Sequence, residues 1–326
     1  MTIDVVCLRP EEDFARVGVR APGLLKVAYR APDDDGLSDV LKSAKALVMP
    51  AVGPKLLPRL FEGSGLALIQ VTGAGVDRLD RESIERLGIP VANVPGGSNA
   101  AVAEYVTAAA ATLLRRLAWA NDEVRRGNYA AFRAKLLADN VGGLEGLVAG
   151  VVGLGVIGTA VARALHAQGC RIIYYDPHPA DAAGAAEIAA EPVALKDLLA
   201  SADIVTLHVP LLPSTENLIG AAEIQSMKTG AVLVQAARGG IVDEAALAAA
   251  LQSGHLGGAA VDVYATEPPS PDNPLLKLRG EAAERTLLTP HIAGVTRQSA
   301  AFLFRSAWQN VERVLVAHQP PLNRVY

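Results

Sequence analysis

The sequence predicts an α/β chain of two doubly wound parallel-sheet domains, the second inserted into the first. Three observations carry that assignment. Short apolar runs alternate with helical patterns through the first hundred residues, and the alternation restarts with clearer periodicity at Gly150. A helical tail, Ser299–Ala317, follows the last strand of the second series and lies too far along the chain to join that sheet comfortably. The first domain is therefore read as residues 1–98 plus 295–326, and the second as residues 99–294.

In chain order, Ile3–Leu8, Ala46–Met49, Ala67–Val71 and Pro90–Asn93 read as parallel strands, because strands covered on both faces are near-continuous in apolar residues. Leu37–Ser43 and Arg81–Leu87 read as the crossover helices between them. Pro95-Gly96-Gly97-Ser98 precedes a long helical stretch from about Asn99 to Arg126, apolar almost all round through Val106–Leu114. Such a helix has to be buried, between domains or between subunits. Six further strands are expected at Gly150–Gly153, Arg171–Tyr175, Ile204–His208, Ala231–Gln235, Ala259–Val263 and Thr286–Leu288. The Ala-rich piece Ala180–Ala190 reads as a helical or loop connection.

The second series opens on Val148-Ala149-Gly150-Val151-Val152-Gly153-Leu154-Gly155-Val156-Ile157-Gly158, and its second strand ends on Asp176. Strand, G-x-G-x-x-G turn, helix, and a strand closing on a carboxylate is the order in which a Rossmann fold meets a dinucleotide. Gly153 permits the tight turn, Gly155 lets backbone approach a pyrophosphate, and Gly158 lets the helix pack on the strand. The helix start at Val156 and Ile157 supplies N–H groups and partial positive charge to phosphates. Asp176 would accept from the adenosine ribose and repel a 2′-phosphate, which favours NAD over NADP. Asp176 also suits a turn before Pro177, and the two roles are compatible. The first domain is assigned the flavodoxin-like doubly wound form.

With 51% hydrophobic and 20% charged residues the chain is ordered and globular. A net charge of −4, with no long basic run, gives no footing for a nucleic-acid partner. Cys7 and Cys170 make no disulfide framework and suit a reducing cytoplasm. Met1-Thr2-Ile3-Asp4 lacks the basic start and apolar core of a signal peptide. The longest apolar run, Val141 to Val161, is glycine-rich and holds Glu145, so no membrane span is expected. No His/Cys cluster has metal-ligand spacing, and no metal is expected.

Reducing a ketoacid by hydride transfer requires a proton donor at the carbonyl oxygen and a cation for the carboxylate. Arg238 lies just past a strand's C-terminal end, where open α/β sheets bind ligands, and its planar fork matches a carboxylate. Asp262 and Glu267 close another strand, and His291 follows the last one in a turn bounded by Pro290 and Gly294. A carboxylate beside a histidine favours the imidazolium, so Glu267 with His291 makes an acid/base relay. His208 either caps the turn at Pro210 or lines the cofactor pocket, the structural role being read first. His166, His178, His255 and His318 are expected to face solvent.

The chain resembles the D-isomer-specific 2-hydroxyacid dehydrogenase family over nearly its whole length. The resemblance rests on Gly73-Ala74-Gly75-Val76-Asp77, Asn93-Val94-Pro95-Gly96, Val102-Ala103-Glu104, the glycine turn, His208-Val209-Pro210-Leu211, Ala237-Arg238-Gly239, Asp262 through Pro268, and Pro290-His291-Ile292. It implies that Arg238 binds the substrate's carboxylate and carbonyl, that His291 exchanges the hydroxyl proton, and that Glu267 pairs with His291. It further implies that Asp262 and the Ala236 carbonyl hold the nicotinamide carboxamide, that N–H groups around Ala74 and Gly75 hold the substrate carboxylate, and that His208, Pro210 and His291 line the cofactor. Two domains closing over the substrate, and a homodimer, are implied as well.

Departures from the family pattern narrow the branch. Gln235 stands where many relatives have Asn, and Tyr129 where many have Trp. Val71-Thr72 replaces the Arg common before the glycine segment in the phosphoglycerate branch, and Glu267 replaces the Gln of the formate branch. The chain also stops at Tyr326, without the regulatory domain frequent among phosphoglycerate enzymes. The expected activity is NAD-dependent interconversion of a small 2-ketoacid and its (R)-2-hydroxyacid, similar to the glyoxylate and hydroxypyruvate reductases, with larger side chains equally open. The alternative is an NAD(H)-sensing binding protein similar to the C-terminal-binding corepressors, which share the fold and can keep the same Arg, Glu and His.

Overall fold

The computed structural model describes residues 3–178 and 182–326, and the chain divides into two units, Met1–Ser98 with Val295–Tyr326, and Asn99–Gly294. The first unit has strands β1 (Val5–Cys7), β2 (Val27–Tyr29), β3 (Ala46–Met49), β4 (Leu68–Val71) and β5 (Val91–Ala92). All pair parallel in the order β2-β1-β3-β4-β5, the flavodoxin-like arrangement. Side chains alternate between two cores, as the pleat dictates. Val6, Leu47, Met49, Ile69 and Val71 meet Leu37, Leu41, Phe61 and Ile84, while Val5, Cys7, Ala46, Val48 and Leu68 meet Phe14, Phe304, Trp308 and Val311. The tail helix Arg297–Leu315 thus belongs to this unit, with Phe304, Trp308 and Val311 on one face at helical spacing. A buried Asn310 amide donates to Gln70 Oε1 at 2.6 Å and fixes that helix on β4. The last residues pair back along β5, Val325 N–H donating to the Val91 carbonyl at 2.7 Å.

The second unit holds β6 (Val148–Val152), β7 (Arg171–Tyr175), β8 (Glu191–Pro192), β9 (Ile204–Leu207), β10 (Val232–Gln235), β11 (Gly258–Val261) and β12 (Thr286–Leu288). They are all parallel, in the order β12-β11-β10-β9-β6-β7-β8. The order reverses between β6 and β9, the switch point where doubly wound sheets bind ligands beyond the strands' carboxyl ends. One face packs on Leu198, Leu199, Ile224, Leu247 and Leu251 of three helices. The other packs on Val161 and Leu165 of helix Val156–Ala167 and on Val102, Val106, Ala109 and Leu113 of helix Asn99–Leu114.

Four features differ from the sequence-based expectations. Strand β2 is missing from them because Val27-Ala28-Tyr29 is a three-residue, half-buried edge. Strand β8 is missing because an exposed Glu-Pro pair reads as loop, and proline is tolerated only at such an edge. The expected helix from Asn99 to Arg126 is two helices, Asn99–Leu114 and Leu117–Arg125, separated by Arg116 in the left-handed region at φ +50°. No glycine or proline marks that break; the Arg116 guanidinium holds it by pairing with Asp139 and lying 5.7 Å over the Trp119 ring. The apolar side of Asn99–Leu114 is consumed by the second unit's own core. Ala182–Glu187 is helical, whereas the start of the Ala180–Ala190 connection and Met1-Thr2 lie outside the described residues. Among the described residues no helix is long and apolar enough to cross a membrane.

Candidate active site

The glycine turn sits where β6 hands over to helix Val156–Ala167. Gly153 stands at φ +93°, and a Cβ there would lie 2.8 Å from the His208 carbonyl. A Cβ on Gly158 would lie 1.9 Å from the Gly153 carbonyl oxygen, so only glycine lets the helix approach this closely. Gly155 differs: a Cβ there would meet no protein atom within 4 Å. The fold itself therefore does not demand a glycine here, and the open space beside it suits a pyrophosphate. The helix start has no side-chain cap, which leaves its first N–H groups, at Val156 and Ile157, as donors. Asp176 follows β7, its Oδ2 accepting from Leu154 N–H and its Oδ1 from His178 N–H, both at 2.7 Å. The carboxylate therefore ties the glycine turn to the end of β7. These residues fit a dinucleotide.

Three loops at the neighbouring strand ends carry the remaining polar groups. Beyond β10, buried Gln235 clamps the loop that presents Arg238. Its Nε2 donates to the Arg238 carbonyl at 2.7 Å, and its Oε1 accepts from Ala237 N–H at 3.2 Å. Asparagine is one methylene shorter, so the longer amide of this chain reaches across the loop. Arg238 Nη1 donates to the Ala237 carbonyl at 2.7 Å, and the side chain is half-buried. A Cβ on Gly239 would fall 1.8 Å from the Tyr264 carbonyl oxygen, so this loop packs backbone to backbone on the one beyond β11.

Glu267 and His291 meet there: Glu267 Oε2 lies 2.8 Å from His291 Nδ1. Glu267 Oε1 accepts from Tyr264 N–H at 3.1 Å, and Glu244 Oε1 accepts from Ala265 N–H at 2.7 Å, which fixes the loop carrying the glutamate. With Nδ1 engaged, Nε2 is the nitrogen left for a substrate. His291 stands at φ +56°, an uncommon conformation for a residue with a Cβ. Asp262, 1% exposed, holds it so. The Asp262 carbonyl accepts from His291 N–H at 2.8 Å, Oδ1 from Ile292 N–H at 2.8 Å and Thr289 Oγ1 at 2.6 Å, and Oδ2 from Ala293 N–H at 2.8 Å.

Sequence reasoning missed the supporting roles of Thr289, Tyr264 and Tyr105, and met Gln235 only as a departure from the family pattern. Thr289 directly precedes the Pro290-His291-Ile292 motif, but its partner Tyr105 lies 184 residues away and carries no local signal. His208 departs from the capping expectation. Its Nε2 lies 2.9 Å from Thr206 Oγ1 on its own strand, and Thr215, not His208, holds the Pro210 carbonyl at 2.6 Å. Burial pushes the His208 imidazole down to about 3, so it is neutral. His255 also departs, since Nε2 lies 3.0 Å from the Ile224 carbonyl, whereas His166, His178 and His318 are exposed. Ala236, half-buried, directly follows β10. In the first unit Ala74 and Gly75 follow β4, where Asn93 Nδ2 donates to the Ala74 carbonyl at 2.6 Å and Val94 N–H to Gly73 at 2.9 Å.

A family model for the NAD-binding domain of D-isomer specific 2-hydroxyacid dehydrogenases matches residues 107–293. The chain belongs to that family. Glyoxylate reductase of Aeropyrum pernix is 34% identical over 90% of this chain and 86% of its own length. Glycerate dehydrogenase of Methylorubrum extorquens is 34% identical over 78% and 77%. D-3-phosphoglycerate dehydrogenase of Archaeoglobus fulgidus is 41% identical over 72% of this chain, which spans 42% of that protein's length. Among solved structures, the holo form of Rhodotorula graminis D-mandelate dehydrogenase superposes with a TM-score of 0.83 at 26% identity, covering 100% of this chain and 98% of that one. Family members of the glyoxylate, glycerate and phosphoglycerate types all stand among the relatives. The Val71-Thr72 departure therefore does not by itself remove the chain from the phosphoglycerate branch. The cofactor of the family is NAD.

Proposed function

We propose that the chain reduces a small 2-ketoacid to its (R)-2-hydroxyacid, and reverses the reaction, with Arg238, Glu267 and His291 as the acting side chains. The Glu267–His291 bond of 2.8 Å, on a turn clamped by Asp262, carries this reading. NAD, when bound, accepts or supplies the hydride at the substrate's C2. His291 Nε2 gives the proton to the carbonyl oxygen in reduction and takes it back in oxidation, and Glu267 orients the ring through Nδ1. Arg238 donates to the substrate's carboxylate and carbonyl, polarising the bond that receives the hydride. Backbone N–H groups of Ala74 and Gly75 also bind the carboxylate.

Gly153, Gly155, Val156, Ile157 and Gly158 take the pyrophosphate, Asp176 the ribose, and Asp262 with the Ala236 carbonyl the carboxamide; His208, Pro210 and His291 line the same cofactor. A substrate of glyoxylate or hydroxypyruvate size is supported by the glyoxylate reductase relative that spans most of both chains. A cytoplasmic homodimer completes the proposal. The corepressor alternative finds no support among the relatives and structures named above.

Replacing Arg238 and His291 in turn separates their roles. Each charge-assisted hydrogen bond is worth ~1.5–3 kcal/mol, so Arg238→Ala raises KM at least about tenfold. His291→Ala lowers kcat by roughly a hundred- to ten-thousandfold and weakens NADH binding far less. Equal loss of NADH affinity in both variants would refute the assignment.

A further inference from the structure

Behind the His291 turn runs a chain of hydroxyls that the proposed chemistry does not use. Tyr105, on helix Asn99–Leu114, and Thr289, just past β12, place their oxygens 2.6 Å apart. Thr289 has a single hydroxyl proton, and it is donated to Asp262 Oδ1 at 2.6 Å. The donor between the two hydroxyls must then be the phenol, so the bonds run from Tyr105 to Thr289 to Asp262. Burial pushes the Tyr105 phenol up to about 12, which keeps that proton in place throughout the physiological range.

The Thr289 backbone is fixed by other means. Its N–H donates to the Val261 carbonyl at 3.0 Å, and its carbonyl accepts from the Tyr264 hydroxyl at 3.1 Å. What Tyr105 adds is the direction of the Thr289 hydroxyl. Turned toward Asp262, that hydroxyl joins the N–H groups of Ile292 and Ala293 on one carboxylate, and the Asp262 carbonyl holds His291 N–H. Every one of these bonds ends on the segment 289–293, whose central residue occupies the costly left-handed region.

We propose that Tyr105 is a positioning residue, acting through the Thr289 hydroxyl on Asp262 and so on the turn that presents His291. The proposal rests on the catalytic reading of His291 given above. Phenylalanine at 105 keeps the ring and removes only the donor, and valine at 289 keeps the shape and breaks the chain.

The test is a double-mutant cycle of Tyr105→Phe and Thr289→Val, with Thr289→Ser as the conservative rescue, read by NADH-dependent kcat and KM and by urea unfolding. The expected result is a fall in kcat of roughly three- to tenfold for Tyr105→Phe, the size of one lost neutral hydrogen bond, and a larger fall for Thr289→Val, which removes a bond to a carboxylate. KM for the ketoacid stays within about twofold of wild type, and the NADH dissociation constant, read by fluorescence, rises by less than kcat falls. The double variant is no slower than Thr289→Val alone, and Thr289→Ser keeps most of the wild-type rate. Additive losses of kcat, a wild-type rate in Tyr105→Phe, or a loss of NADH affinity equal to the loss of kcat would each overturn the proposal. Failure of the underlying reading looks different. The wild type would then turn over no 2-ketoacid, while the unfolding midpoints of the same four proteins would still report whether Tyr105 and Thr289 are coupled.

Discussion

Both oxygens of Asp176 are occupied by backbone N–H groups, and this sets what its replacement does. An ionised carboxylate has capacity for about four hydrogen bonds, so two protein donors leave room for a ribose. Asp176→Ala is expected to lower the kcat/KM preference for NADH over NADPH by roughly tenfold or more, because the repulsion of a 2′-phosphate disappears. It should also weaken NADH itself, since Leu154 loses its anchor beside Gly155. Kinetics with both cofactors check this, and an unchanged ratio would leave Asp176 as a turn residue. His208 makes a prediction about stability. Burial holds its folded-state pKa at about 3, against the ordinary 6.5 of the unfolded chain. Above pH 6.5 neither state carries the proton. As pH falls from 6.5 toward 3, the unfolded chain takes up a proton that the folded one refuses, so stability drops across that window. His208→Gln should flatten that part of the urea-midpoint profile between pH 7 and pH 5.

At the scale of elements, the glycine turn and the tail helix carry the sharpest expectations. Gly158→Ala sets a Cβ 1.9 Å from a backbone oxygen, which cannot step aside as a flexible side chain can. The helix must move off β6, with loss of NADH binding and destabilisation of about 1–3 kcal/mol, measurable by fluorescence titration and urea unfolding. Trp308, on the tail helix, is 3% exposed against Phe14. Trp308→Ala should cost about 3–5 kcal/mol by urea unfolding. Much of this element-level order was legible. The apolar runs of β1, β3, β4, β6, β9 and β10 are strands buried on both faces, and glycine, proline and carboxylate mark their ends. Strands β2 and β8 were not legible, because short edge strands need no apolar signature. The break at Arg116 was not legible either, since an ion pair and a ring across the fold hold it, not a local breaker.

For the whole molecule, the candidate site was readable as residue types at strand ends but not as a network. Arg238, Asp262, Glu267 and His291 each lie within a few residues of a strand's carboxyl end, so order along the chain pointed to them. Tyr105, Thr289 and Gln235 act through contacts that depend on how loops and helices pack, and those leave no trace in spacing. Exposed Leu117, Val124, Tyr129 and Leu137, on and beside the helix pair that follows Arg116, fit the proposed homodimer, for which sedimentation at micromolar concentration should give twice the chain mass. The measurement that bears most directly on the account is NADH oxidation, followed by absorbance, across 2-ketoacids from glyoxylate to phenylpyruvate. Turnover is expected, fastest with the smaller members and at least about a hundredfold slower in His291→Ala. Tight NADH binding by fluorescence with no turnover of any member would contradict it.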